Sequence, residues 1–126
     1  MQDNELLMTA PKVTVQNVKD LLCNAIEGGS NYWCGTMDRK GGITRAQAEY
    51  RHDVPFVPGG WLEVCEDEEE GGGRKVRLDL EAIKKGLTVF AEKCPRQFAD
   101  LLQENADAST GDCFLQCCCF GEVIYG

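Results

Sequence analysis

The sequence predicts an α+β fold, with about four helices packed against a β-hairpin in a single compact domain. Two patterns indicate this class: segments with apolar residues at three- and four-residue steps, and two short segments of alternating polarity around a glycine-rich loop. The length of 126 residues, with 43% hydrophobic and 27% charged residues, suits one soluble globular domain. We expect residues 13–126 to form this domain and residues 1–12, which show no periodicity, to form a flexible arm.

The first helix is predicted over about residues 15–27, with Thr14 as its N-cap. Gly28 and Gly29 should then end it in a left-handed conformation. The face turned to the core should carry the apolar residues Val15, Val18, Leu22 and Ile26.

Three further helices are predicted in the C-terminal half. One covers about residues 80–94 after Asp79 as N-cap, and the next covers about 95–104, starting at a proline. Gly86 weakens the first of these as an isolated helix, which indicates close packing against another element. The last, about residues 112–120, is apolar on nearly all sides and should be central, after a polar linker. The predicted shared core comprises Val18, Leu22, Leu87, Phe90, Leu101 and Phe114.

The hairpin is predicted from residues 60–65 and 75–78, which alternate apolar and polar side chains like strands. The segment between them is acidic and glycine-rich, so we expect a solvated loop. Residues 36–59 are predicted to be mostly loop, with a short strand or helical turn near 44–50. The ending, residues 121–126, should dock onto the body of the domain.

The charge balance excludes some classes of function. Thirteen Lys and Arg against 21 Asp and Glu give a net charge of −8, which disfavours direct binding to a nucleic-acid backbone. The N-terminus has no pattern of a secretory signal, and no run of 18 apolar residues could span a membrane. We therefore expect a cytoplasmic protein without membrane contact.

Eight cysteines are many for a reducing compartment. We expect them to be reduced and to act as small hydrophobic residues, with no metal and no cofactor. One alternative is half of a zinc site at Cys113 and Cys117, completed by Cys34, Cys65 or His52. Disulfide bonds or a redox-sensing role would also account for this number of cysteines.

Signatures of common enzymes are missing from the sequence. It contains no nucleotide-binding glycine motif, no nucleophile elbow and no H-E-x-x-H zinc motif. The single histidine, His52, is followed by Asp53 and could orient a cysteine nucleophile, which is the enzymatic alternative. The sequence favours a non-enzymatic protein.

Two segments are candidates for binding. Residues 27–33 (EGGSNYW) present an amide and two large rings after a helix end, and such residues often anchor recognition sites. We expect this turn to meet the C-terminal segment and form one site, with Trp33 plugging the core as the alternative. The candidate binding residues are Glu27, Asn31, Tyr32, Trp33, Glu122 and Tyr125.

The second candidate is the acidic loop of the hairpin, which either faces a partner or is simply solvated. An acidic surface can accelerate association with a basic partner. The residues assigned to a partner-facing loop are Glu66, Asp67, Glu68, Glu69 and Glu70.

The aromatic turn and the C-terminal segment resemble motifs of a known group of proteins. The turn E-G-G-x-x-Y-W and the ending Q-x-x-x-F-G-E-V-x-Y-G resemble small accessory proteins of bacteriophages and prophages, a largely uncharacterised group. The acidic loop and the run of three cysteines depart from that group. The resemblance implies a phage gene product and supplies no catalytic residue or substrate.

Together these observations predict a phage-encoded, non-enzymatic inhibitor of a bacterial defence protein that has a basic surface. The alternative is a homo-oligomeric sponge for a small nucleotide signal, with Tyr32 and Trp33 as stacking platforms. A shortage of cations disfavours this alternative, since only Arg74, Lys75 and Arg77 cluster in the sequence.

Overall fold

The computed structural model of the chain describes residues 12–69 and 72–126, and within them it confirms a single compact α+β domain. The predicted arm, apart from Lys12, lies outside the described residues, as does Glu70. The elements in chain order are α1 (Val15–Asn24), a π-helical turn (Ala25–Gly29), β1 (Cys34–Lys40), a 3-10 helix (Arg51–Phe56), β2 (Trp61–Glu66), β3 (Lys75–Leu78), α2 (Leu80–Lys93), α3 (Pro95–Leu102) and α4 (Ala108–Phe120).

Helix α1 begins where the sequence predicts and ends differently. The Thr14 hydroxyl accepts a hydrogen bond from the backbone N–H of Asn17, whose side chain accepts one from the Thr14 N–H in return. At its other end the helix widens into the π turn, and Gly28 has an extended φ of 168°. The predicted left-handed cap is therefore wrong. At Gly29 a side chain would collide with the carbonyl oxygen of Ala108, so this glycine lets α4 approach closely.

Helices α2 and α3 match their predictions closely, whereas α4 starts earlier. Asp79 caps α2 by accepting from the backbone N–H of Ala82 at 2.9 Å, and a proline opens α3. Asp107 and Thr110 form a capping box that starts α4 at Ala108. The polar linker predicted up to residue 111 is therefore wrong from residue 108 onward, because its side chains cap a helix instead of forming a loop.

Helix α4 is central, as predicted, and packs against α1, α2, α3 and the π turn. Gly86 of α2 confirms the expected close packing: a Cβ atom there would lie 2.2 Å from the Sγ of Cys118. Leu87 packs at the edge of the core and is half-buried. The other predicted core residues are buried together: Val18, Leu22, Phe90, Leu101 and Phe114.

The predicted hairpin is present as β2 and β3, paired antiparallel with Leu62 opposite Leu78. A third strand, β1, pairs antiparallel with the other edge of β2 and extends the sheet. The prediction of loop from residue 36 misses this strand. Of its seven residues only Met37 is buried, so an edge strand formed without the alternation that identifies strands in a sequence.

No helix in the part of the chain that the structure describes is long and apolar enough to cross a membrane.

Candidate functional site

The aromatic turn and the C-terminal segment meet, as the sequence predicts. The ring of Trp33 stacks on that of Tyr125, with 5.4 Å between centroids and 6° between planes. Phe120 contacts the same indole edge-on at 5.3 Å. Trp33 is fully buried, so it plugs the core and offers no surface to a partner. Its assignment as a binding residue is therefore wrong, and the alternative that it fills the core is right.

A buried carboxylate, Asp112 of α4, ties the turn to the central helix. It accepts hydrogen bonds from the Ser30 hydroxyl at 2.8 Å, the Tyr32 hydroxyl at 2.6 Å, the Trp33 indole at 2.7 Å and the Gln116 amide at 3.1 Å. Asp112 is only 7% exposed. A buried carboxylate needs such donors to replace water, and the three that belong to the turn fix it on α4.

Gln116, one turn further along α4, holds the C-terminal segment. Its side-chain oxygen accepts from the backbone N–H groups of Ile124 and Tyr125, both at 2.8 Å, and its amide donates to the carbonyl of Tyr125 at 3.3 Å. The predicted docking of the ending is confirmed. Sequence reasoning missed Asp112 and Gln116 as organising residues, although a signal existed: both are polar side chains in the segment 112–120, which is otherwise apolar.

The C-terminal segment is also held by the hairpin, through Glu66. Its carboxylate accepts from Arg74 Nε at 2.7 Å, Arg74 Nη2 at 2.9 Å and the hydroxyl of Tyr125. The bonds from Arg74, and then that from Tyr125, lower the pKa of Glu66 to about 2 despite its burial. Because Glu66 is only 4% exposed, its assignment to the partner-facing loop is wrong.

The surface part of the acidic loop is therefore shorter than predicted. Asp67 is partly exposed, and Glu68 and Glu69 are exposed. The backbone N–H of Asp67 donates to the carbonyl of Trp33, which joins the base of this loop to the aromatic turn.

A groove of about 600 Å³ lies between the turn and the C-terminal segment, and we call it the turn–tail groove. Tyr32 and Val123 line it and are 45% and 40% exposed. Glu27 and Glu122 are exposed, and each precedes a lining residue along the chain. Its lining is Gly28, Gly29, Tyr32, Ala108, Ser109, Asp112, Cys113, Val123, Tyr125 and Gly126.

Asn31 does not line this groove. It lies instead at a separate cavity of about 240 Å³, together with Cys34 and Arg51. The structure thus brings Tyr32 and Tyr125 together and leaves Asn31 apart from them.

The cysteines are free thiols, and several have a raised pKa, which disfavours the reactive thiolate form. Burial raises the pKa of Cys34 and of Cys113 to about 11, and that of Cys117 to about 12. Within residues 12–69 and 72–126, no three His, Cys, Asp or Glu side chains are grouped to hold a metal ion. The sulfur of Cys117 lies 3.9 Å from that of Cys94.

His52 and Asp53, the pair of the enzymatic alternative, each contact another residue. The ring of His52 stacks on that of Tyr50, at 5.4 Å and 4°, and Asp53 pairs with Lys19 at 3.1 Å. The ring stacking leaves the imidazole nitrogens of His52 uncommitted, so the enzymatic alternative stays a prediction.

Comparison with family models, curated proteins and solved structures finds no match to this chain. The resemblance to phage accessory proteins therefore stays a prediction.

Proposed function

We propose that this chain is a non-enzymatic binding protein of a bacteriophage that antagonises a bacterial defence protein in the host cytoplasm. The observation that carries the proposal is the turn–tail groove, a partly apolar surface on a rigid base. The four hydrogen bonds to Asp112 hold that base before any partner arrives. A preformed surface lowers the entropic cost of binding.

The ionisable groups of the groove are better suited to binding a partner than to acid–base catalysis. The Asp112 carboxylate is occupied by four donors, so it is poorly placed to act as a base. Burial and the hydrogen bond to Asp112 raise the pKa of Tyr32, and burial raises that of Cys113 to about 11. A general acid or base works best with a pKa near the operating pH, and these shifts lead away from it.

The exposed chemistry of the groove defines the kind of partner. Tyr32 and Val123 are exposed and largely apolar, and Ile124, next to Val123 in the chain, is also exposed. Glu27 and Glu122 add carboxylates next to lining residues. This combination fits an apolar anchor on the partner surrounded by Lys or Arg. The acidic loop and the net charge of −8 then accelerate the encounter with that basic surface.

The alternative function, a sponge for a small nucleotide, is not supported by the residues that the sequence analysis named for it. Trp33 is fully buried and cannot stack on a base. Arg74 is bound to Glu66, and Arg77 bonds to Asp79 at 3.2 Å and lies over the ring of Trp61. These contacts leave Lys75 as the remaining cation of the three.

The experiment is a plating assay in host strains that each carry one defence system. We expect the chain to restore phage plating in at least one strain, and Val123→Arg to remove that effect. Leu102→Ala, an exposed apolar change on α3, is the matched control and should keep full activity. Retained activity in Val123→Arg, with the fold verified by circular dichroism, would contradict the site.

A further inference from the structure

A second groove shares no lining residue with the turn–tail groove. Three arginines line it, although the chain as a whole is acidic. The groove has a volume of about 620 Å³, with Met37 among its lining residues. We call it the arginine groove, and its other lining residues are Asp38, Arg39, Arg45, Glu49, Tyr50 and Arg51.

The fold builds this groove by a tight reversal after β1. Gly41 and Gly42 have φ values of +84° and +71°, which other residues rarely adopt. A side chain at Gly41 would also lie 2.1 Å from the carbonyl oxygen of Gly59. The reversal carries residues 43–50 back beside the strand.

Backbone carbonyls hold two of the arginines in place. The Arg39 guanidinium donates to the carbonyls of Ala48 and Glu49, and Arg51 donates to the carbonyl of Met37 at 3.3 Å. A carbonyl orients a guanidinium without neutralising it, and neither arginine forms an ion pair with Asp38 or Glu49, which also line the groove.

The local charge is opposite to that of the whole chain. Residues 38–51 contain four of the thirteen Lys and Arg residues and only two acids, whereas the net charge is −8. Among the described residues, the ion pairs involve none of Arg39, Arg45 and Arg51. Arginines gathered in a concave surface without carboxylate partners are suited to an anion, and the guanidinium fork matches phosphate oxygens.

Tyr50 adds a flat surface to the same groove. It is 56% exposed, and its ring is held parallel to that of His52. Stacking on His52 fixes the orientation of the phenol ring while much of it remains open to solvent. Such a ring can stack on a nucleobase.

We propose that the arginine groove binds a phosphate-bearing nucleotide, with the arginines on the phosphate and Tyr50 on the base. The volume lies within the range of roughly 300–1,000 Å³ typical of small-molecule sites. This site is independent of the turn–tail groove and of the proposed inhibition.

The test is calorimetric titration of the folded protein with ATP and, separately, with inorganic phosphate at low salt. We expect one ATP per chain, bound more tightly than phosphate. Arg45→Gln, which alters an exposed side chain, should weaken ATP binding at least about tenfold, because a charge-assisted bond is lost. Tyr50→Ala should weaken ATP and leave phosphate unchanged.

Arg96→Gln is the matched control, because it removes the same charge at an exposed position of α3 outside the groove. It should bind ATP like the parent protein. The proposal is overturned if ATP does not bind saturably, or if Arg96→Gln weakens binding as much as Arg45→Gln. Equal affinity for phosphate and ATP, or an unchanged ATP affinity in Tyr50→Ala, would also overturn the assignment to a nucleotide.

Discussion

The indole N–H of Trp33 donates a hydrogen bond of 2.7 Å to the carboxylate of Asp112, 79 residues further along the chain. Both residues are buried, and their contact joins the aromatic turn to the central helix. The same carboxylate accepts hydrogen bonds from Ser30 and Tyr32. Asp112 therefore positions Tyr32, and both residues line the turn–tail groove.

Replacing Asp112 tests whether this carboxylate supports the fold. Asp112→Ala leaves the buried donors of Trp33 and Ser30 without their acceptor. Each unsatisfied donor costs about 1–3 kcal/mol, so the free energy of unfolding in urea should fall by roughly 2–6 kcal/mol. Glu92→Ala, an exposed change on α2, is the control and should stay within about 0.5 kcal/mol of the parent. A similarly small loss in Asp112→Ala would show that the network is not structural.

Two residues of α2 should differ in how much they contribute to the free energy of unfolding. Phe90 is fully buried between Phe98 and Phe114, whereas Leu87 is half-buried. Phe90→Ala should lower the free energy of unfolding by about 3–5 kcal/mol through lost burial and a residual cavity. Leu87→Ala should cost less, because part of its side chain is already in water. A larger loss at Leu87 than at Phe90 would mean that α2 is rotated.

Glu66 should make stability depend on acid pH. Its pKa is lowered from 4.5 to about 2 in the folded chain. The ionised form is therefore the one stabilised by folding. That stabilisation is fully present above about pH 4.5 and is lost as the pH falls towards 2. Unfolding measured from pH 2 to 7 should show this slope in the parent protein and a flatter one in Glu66→Gln. Glu68→Gln, an exposed neighbour, should keep the parent slope; identical profiles for all three proteins would remove the assigned role of Glu66.

The thiols should hold no structural zinc. Zinc binds thiolates, and burial raises the pKa of Cys113 to about 11 and that of Cys117 to about 12. Elemental analysis after purification without chelator should find less than about 0.2 zinc per chain. Stoichiometric zinc that is released only on unfolding would contradict this and point to Cys113 and Cys117 as ligands.

Local signals in the sequence were sufficient for most of the helical architecture. Thr14 and Asp79 are N-caps next to clear apolar stripes, so these helix starts depend on neighbours a few residues away. The start of α4 was missed because Asp107 and Thr110 fit a polar linker equally well. Strand β1 was missed because an edge strand with one buried residue has no alternation to detect.

The site was predicted in outline, and its chemistry was not. The aromatic turn leaves the end of the first helix, and residues 120–125 lack polar spacing, which suggested that the two segments would meet. Trp33 does stack on Tyr125. The burial of Glu66 depends on Arg74 and on Tyr125, 59 residues away, so an acidic run in the sequence could not reveal it. The role of Asp112 likewise depends on contacts across the whole fold.

The most direct test of the central claim is phage plating in a host strain whose defence the parent chain suppresses. It compares Val123→Arg with a loop variant that carries Asp67→Asn, Glu68→Gln and Glu69→Gln and keeps the structural Glu66. We predict that Val123→Arg lowers plating at least about tenfold, because an interface is most sensitive near its centre. The loop variant should still suppress the defence, at higher expression, because it slows association without removing the contact surface. Full suppression by Val123→Arg together with loss in the loop variant would contradict the account and assign binding to the acidic loop.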